Sequence, residues 1–158
     1  MPLVHDFLLI KQDQIKKNDL FSLRDFKKQG NKEMIVQIQD DLILYMMDSF
    51  KWIRTTNPFN DETIYGLFYH GISLIDFEGA ITLNSITQAW YNLFLSAPDI
   101  VKLTGGYYTI EGEPEIPGQY EIITFNKKDI LSRLNKLNEL SNRAKNSEDK
   151  FQIIHYGI

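Results

Sequence analysis

The spacing of apolar residues predicts two well-defined amphipathic helices in the second half of the chain. One helix follows Asp76 and runs through FEGAITLNSITQAWYNLFLSA, and the other follows Asn126 and runs through KKDILSRLNKLNELSNRAK. Both segments place apolar residues at helical spacing. Asp76 and Asn126 are residue types that cap helix N-termini, and Pro98 marks the end of the first helix. The apolar stripe of this first helix predicts that Trp90 is buried in the core.

Two further helices are predicted in the first fifty residues, where the pattern is less clear. Met34, Ile35, Ile38, Leu42 and Met46 lie at helical spacing, which predicts a helix over residues 31–50 with Asn31 as its N-cap. Residues 19–30 read as a shorter helix that Asp19 or Ser22 caps and Gly30 ends. Residues 3–10 fit either a strand or a buried helical turn.

Alternation with a period of two predicts two hairpins and a last strand. The first hairpin covers ETIYGLFYHGISLI, with His70 and Gly71 at the turn. The second joins IVKLTGGYYTIEG to QYEIITF through a loop rich in proline and glycine, with Gly105 and Gly106 expected to make a bulge. FQIIHYGI is the last strand. The fold class predicted is α+β, with a mostly antiparallel sheet of about five strands and helices packed mainly on one face.

Composition narrows the class of protein further. The 158 residues fit one domain, 1–158, and the structure of residues 1–30 is the least certain to predict. The whole chain contains no cysteine. No signal peptide and no apolar run of membrane-spanning length is evident, so we expect a cytoplasmic protein that does not engage a membrane. The formal net charge is -4, and residues 31–127 carry a net -8. This charge does not suit nucleic acid as a partner and favours a basic one.

Motifs for catalysis are absent from the sequence. His5, His70 and His155 lack metal-ligand spacing, and neither a nucleophile elbow nor a phosphate loop is present. His70 reads as a turn residue, and His155 as a strand residue at a sheet edge. Carboxylates at 61/62, 76/78 and 111/113/115 are the remaining route to acid-base or metal chemistry, although Pro114 favours a solvated loop around the last group. We therefore predict no catalytic residue, metal site or cofactor.

Acidic and aromatic residues of the middle of the chain are candidates for protein recognition. Aromatic side chains often anchor interfaces, and acidic loops attract basic partners. The predicted partner-binding residues are Phe59, Asp61, Glu62, Tyr107, Tyr108, Glu111, Glu113 and Glu115.

Several segments resemble a known class of proteins. They are WIRTTNPFN (Trp52–Asn60), GLFYHGISLID (Gly66–Asp76), AWYNLF (Ala89–Phe94), LTGGY (Leu103–Tyr107) and the closing IIHYGI. Together they resemble small bacterial immunity proteins, which are encoded beside polymorphic or contact-dependent toxins and neutralise the toxin by binding it. The resemblance spans Trp52 to Ile158. It implies a cognate toxin domain, such as a basic nuclease, as the partner, and it implies no cofactor.

Two other classes of function remain open at this stage. One is a small enzyme with a carboxylate- or histidine-based site, which polar groups converging on His70 would favour. The other is a structural or regulatory homodimer. The protein encoded by the neighbouring gene would separate a toxin inhibitor from both.

Overall fold

A six-stranded antiparallel sheet forms the centre of this computed structural model, which describes residues 3–16, 20, 32–113, 115–147 and 150–158. The strand order is β2-β1-β8-β5-β3-β4. The strands of this sheet are β1 (Val4–Lys11), β2 (Ile35–Gln39), β3 (Arg54–Thr56), β4 (Thr63–Tyr65), β5 (Ile72–Ile75) and β8 (Phe151–Tyr156). A second, two-stranded sheet pairs β6 (Ile100–Tyr108) with β7 (Gln119–Asn126). The helices are α1 (Asp40–Phe50), α2 (Phe77–Leu95) and α3 (Lys127–Lys145).

The α+β class predicted from the sequence is confirmed, with two differences in detail. The main sheet has six strands among the described residues rather than about five, and the second predicted hairpin forms a sheet of its own. The strands of this sheet that were not predicted are β2 and β3, whereas β1 resolves in favour of a strand the choice left open for residues 3–10. β1 is buried along most of its length, so it lacks the alternation that distinguishes a strand from a helix.

The three described helices pack on one face of the main sheet, as predicted. Residues of α1, α2 and α3 share one apolar cluster with Phe7, Leu9, Ile75 and Ile153 of the sheet. The opposite face carries a smaller cluster that includes Leu8, Ile10, Ile154 and Leu20. β1 and β8 therefore contribute apolar side chains to both faces.

The helix predicted over residues 31–50 is wrong in its first half. A short 3₁₀ turn at Lys32–Met34 leads into strand β2, and the helix begins only at Asp40. In β2, Val36 and Ile38 are buried and their neighbours are half-buried, which is the alternation of a strand. The same apolar residues also fit helical spacing, so pairing with β1 decided between the two periods.

The first predicted hairpin is also wrong in its pairing. β4 and β5 do not pair with each other. Each of them pairs with β3, which lies between them in the sheet. Residues 66–71 form a loop between them, in which Gly66 and Gly71 have φ angles of 102° and 137°. These angles favour glycine, since a side chain would be strained there.

Both capping predictions are confirmed. The Asp76 carboxylate accepts a hydrogen bond from the Gly79 N–H at 3.0 Å, and the Asn126 side chain accepts one from the Lys128 N–H at 2.9 Å. The prediction that Trp90 is buried in the core is wrong, because Trp90 is only partly buried at the rim of the core. Its indole N–H donates to the Ser49 hydroxyl at 2.9 Å, so the ring keeps a polar edge near the surface.

Part of the predicted N-terminal structure lies outside the residues that the structure describes. The short helix predicted over residues 19–30, with its caps Asp19 and Ser22, lies outside the described residues except for Leu20, as does the predicted N-cap Asn31. Within the described ranges, none of the helices combines the length and apolar character needed to cross a bilayer.

Candidate functional site

The β6–β7 hairpin is anchored at its base and exposed beyond it. Val101, Leu103 and Phe125 point inward and belong to the large apolar cluster. The regular pairing ends at Thr104 and Ile122, and the register then shifts before Tyr107 pairs with Tyr120. The predicted bulge at Gly105 and Gly106 is therefore confirmed. We call residues 105–121, the part of the hairpin beyond the Thr104–Ile122 pair, the arm.

The end of the arm displays three of the predicted acidic residues. Glu111, Glu113 and Glu115 are exposed, and no described basic side chain forms an ion pair with them. Two tight turns shape this segment, because the Glu113 N–H donates to Ile110 O and the Ile116 N–H donates to Glu113 O. We call these three glutamates the acidic tip. Their negative charge is unneutralised by the described residues and open to solvent.

Tyr107 and Tyr108 lie on the same arm, on opposite faces of β6. Both are exposed, because the arm extends past the core. The Tyr107 ring meets the Tyr120 ring edge-on with centroids 5.1 Å apart. It also lies close to Gly118, where an added Cβ would collide with the ring. Glycine at 118, directly before β7, therefore leaves room for the Tyr107 ring.

Phe59, Asp61 and Glu62 lie on a different element, the turn between β3 and β4. Asn57 organises this turn, because its side chain accepts from the Phe59 N–H and its main-chain N–H donates to Glu62 O. Asp61 has a φ of 59°, which aspartate tolerates better than most residues. All three residues are exposed. The structure therefore gathers five of the eight predicted residues on the arm and leaves these three on the main sheet.

His70 is an exposed loop residue, in line with the turn position predicted for it. Its ring meets the Tyr69 ring edge-on at 4.7 Å, and Nδ1 lies 3.4 Å from the main-chain oxygen of Ile158. The loop itself is held by the end of β8, since the Ile158 N–H donates to Tyr69 O and the Gly157 N–H donates to Gly71 O. The YHGI segment at residues 69–72 and the closing HYGI segment at residues 155–158 therefore bond to each other.

A buried network of polar side chains connects β1, β8, α1 and the 66–71 loop. His5 Nε2 lies 2.9 Å from Asp40 Oδ1, and His5 Nδ1 lies 2.8 Å from His155 Nε2. The Tyr69 hydroxyl donates to Asp40 Oδ2 at 2.7 Å. We call these four residues the histidine network. His155 is therefore in a central strand and fully buried, which corrects its predicted place at a sheet edge.

The electrostatics of the histidine network favour a neutral tyrosine beside a carboxylate. Burial, the hydrogen bond to Asp40 and the charges of Asp40 and Asp41 raise the pKa of Tyr69 to about 12. A carboxylate–imidazole–imidazole chain resembles the relays used in acid-base catalysis. However, His5 and His155 are both 0% exposed, so a substrate could not touch either ring in this conformation. The arrangement joins four elements and satisfies buried polar groups.

The candidate carboxylates Asp76 and Glu78 take part in contacts that hold the fold together. Asp76 caps α2 and pairs with Arg54, which also lies 3.3 Å from Glu78. The hydrogen bond from the guanidinium to Asp76, together with the charge of that carboxylate, raises the pKa of Arg54. Across the residues placed by the structure, no group of three or more histidines, aspartates and glutamates is arranged to hold a metal ion.

Sequence reasoning missed the histidine network for a physical reason. Asp40 is not among the apolar residues that set the helical spacing of residues 31–50, and His5 lies in residues 3–10, which fit either a strand or a buried helical turn. The three ionisable residues that meet are also far apart in the chain, at positions 5, 40 and 155. The pairing of β1 with β8 brings His5 beside His155, and the pairing of β1 with β2 brings Asp40 beside His5.

Comparison with known proteins adds no relative, since no protein-family model, curated protein or solved structure matches the chain.

Proposed function

We propose that the protein is an immunity-type inhibitor that neutralises a cognate bacterial toxin domain by binding it in the cytoplasm. One observation carries the proposal: five predicted recognition residues occur together on an arm that extends past the core. Two are exposed tyrosines and three form the acidic tip. Exposed aromatics with adjacent unpaired charge are typical of a protein-recognition surface.

Electrostatics support a basic partner. Residues 100–126 contain one lysine and four glutamates, so the hairpin carries a formal charge of -3. Such a surface speeds the approach of a positively charged domain, such as a nuclease that itself binds phosphate. The same charge repels nucleic acid, which agrees with a partner that is a protein.

Reversal of the acidic tip tests the proposal. The variant Glu111→Lys, Glu113→Lys and Glu115→Lys is mixed with the purified toxin domain from the neighbouring gene, at low and at high salt. We expect association to slow by about tenfold or more at low salt and by less at high salt, because screening shortens the reach of the charges. The dissociation rate should change less, since charges at a rim act mainly on encounter.

A matched control carries the same change in net charge elsewhere. Asp13→Lys, Glu33→Lys and Glu139→Lys alter exposed acids outside the hairpin. Equal slowing by both triple variants would attribute the effect to net charge and remove the assignment to the arm. Absence of any binding between the unmodified protein and the neighbouring gene product would contradict the immunity function itself. Glu62→Lys tests in the same way whether the β3–β4 turn contributes.

A further inference from the structure

The outward face of the β6–β7 hairpin has an unusual composition for a surface open to water. Antiparallel partners point to the same side of a sheet, so the register assigns eight residues to this face. They are Ile100, Lys102, Thr104, Tyr107, Tyr120, Ile122, Thr124 and Asn126. All eight are exposed, and only Lys102 is charged. We call this set the outward face.

The side chains of the outward face are types that normally pack against a covering layer. Tyr107, Tyr120 and Ile122 are 59%, 60% and 60% exposed, although aromatic and β-branched residues gain stability mainly from contact with neighbours. The inward side of the same hairpin is already used, because Val101, Leu103 and Phe125 join the core. The outward face therefore has no covering element within the described chain.

We propose that the outward face is the apolar centre of the partner interface, with Tyr107, Tyr120 and Ile122 as its anchors and the acidic tip as its rim. This inference rests on the proposed function and specifies how the partner is held. The occupant is a protein surface that is apolar at its middle and basic at its edge. Charge complementarity supports this choice, since the acidic tip lies on the same hairpin as the anchors.

A second copy of the chain fits the same face less well. Two hairpins stacked through their outward faces would bring one formal charge of -3 against another, and would place both Lys102 side chains in the contact. Like charges brought together at an interface disfavour association. A basic partner removes this repulsion and leaves the tyrosines available for apolar contact.

The pre-ordered tyrosine pair suits an anchor. The Tyr107 ring contacts the Tyr120 ring and lies close to Gly118, so part of its rotational freedom is already restricted before binding. Rigid aromatic side chains contribute contact area at a low cost in conformational entropy. The two rings contact each other from neighbouring strands, β6 and β7, of the same hairpin.

The test separates the anchors from the rim by kinetics. In the variant Tyr120→Thr and Ile122→Thr, threonine keeps the preference for a strand and removes apolar contact area. We expect the complex with the neighbouring gene product to dissociate at least ~30-fold faster, as loss of central anchors does. Association should change by less than about twofold, and the effect should persist at high salt, since apolar contact is not screened.

A matched control removes exposed aromatics from the main sheet region. Trp52→Thr and Tyr65→Thr change two side chains that are more exposed than the anchors and lie outside the hairpin. Circular dichroism and thermal unfolding should show that both double variants remain folded, because none of the four positions is buried. The control should dissociate at the rate of the unmodified protein.

The possible results are distinct for the two proposals. If the unmodified protein binds and both double variants dissociate like it, the anchor assignment is overturned while the inhibitor function stands. If the unmodified protein does not bind at all, both proposals fail together. If sedimentation shows that the protein alone is a dimer, and Tyr120→Thr with Ile122→Thr converts it to a monomer, a second copy covers the face and the inference is wrong.

Discussion

Asp40 is the residue on which the histidine network depends, because both of its carboxylate oxygens accept hydrogen bonds. His5 Nε2 and the Tyr69 hydroxyl occupy them at 2.9 and 2.7 Å. Asp40 opens α1 at the edge of the sheet, and its main-chain N–H donates to Leu3 O. One side chain thus links the start of β1, the start of α1 and the 66–71 loop.

Removal of this carboxylate should destabilise the fold strongly. In Asp40→Ala, the His5 ring and the Tyr69 hydroxyl both lose their hydrogen-bond acceptor, and the His5 ring is fully buried. We therefore expect the free energy of unfolding to fall by about 3 kcal/mol. Urea denaturation followed by circular dichroism measures the change. The neighbouring Asp41→Ala is the control, since Asp41 is exposed in the same first helical turn and should cost at most about 1 kcal/mol. Equal losses in the two variants would show that the network contributes little.

The raised pKa of Tyr69 makes the contribution of the histidine network to stability depend on pH at high pH. Its pKa is raised to about 12, chiefly by burial and then by the hydrogen bond to Asp40, against an ordinary value of 10.0. The unfolded chain therefore loses this proton at lower pH than the folded one. Stability from this group is fully present below pH 10 and is lost as pH rises through about 12.

Titration of the tyrosines checks this value. In the folded protein, tyrosine absorbance should contain a late step near pH 12 that Tyr69→Phe removes. Asp40→Asn should shift the step to lower pH, because the amide lacks the negative charge that holds the phenol neutral. A Tyr69→Phe variant whose titration curve keeps the late step would assign the step to another tyrosine.

At the scale of elements, the β6–β7 hairpin divides into a structural base and an exposed arm. The base contributes Val101, Leu103 and Phe125 to the core, whereas the arm begins after the Thr104–Ile122 pair. Loss of the arm should therefore leave the rest of the molecule intact.

Excision of the arm tests this division. If residues 105–121 are replaced by Asn-Gly, a two-residue turn should join Thr104 directly to Ile122. We expect the shortened protein to unfold cooperatively, with a change in unfolding free energy of about 1 kcal/mol or less, because none of the side chains that the structure describes in this segment is fully buried. Chemical denaturation measures it. Loss of the cooperative transition would show that the arm is needed for folding.

The helices were easier to predict from local sequence patterns than the strands and loops. α2 and α3 were predicted with their caps because each has a long apolar stripe and a capping side chain within a few residues. β2 and the 66–71 loop were misread because five or six residues fit two periods equally well. Hydrogen bonding with distant strands decides such segments, and local pattern contains no information about those partners.

At the scale of the whole molecule, the exposure of the acidic tip was easier to predict than the buried network. Charged side chains of a Pro/Gly-rich loop stay in water whatever the topology, so the exposure of Glu111, Glu113 and Glu115 follows from local composition. The histidine network requires the order β2-β1-β8 and the position of α1 against it. That order joins segments from opposite ends of the described chain, and no local signal in the sequence encodes it.

The central position of β8 has a consequence for protein synthesis. β8 lies between β1 and β5 and pairs with both, yet it follows every other described strand in the chain. A nascent chain that has not reached Phe151 can form the β1–β2 pair and the β3–β4–β5 group, but the strand between them is missing. The ribosome must therefore release the region around Ile153 and His155 before the two halves can join. The complete sheet can therefore form only after the last of its described strands has emerged, however early its first strand does.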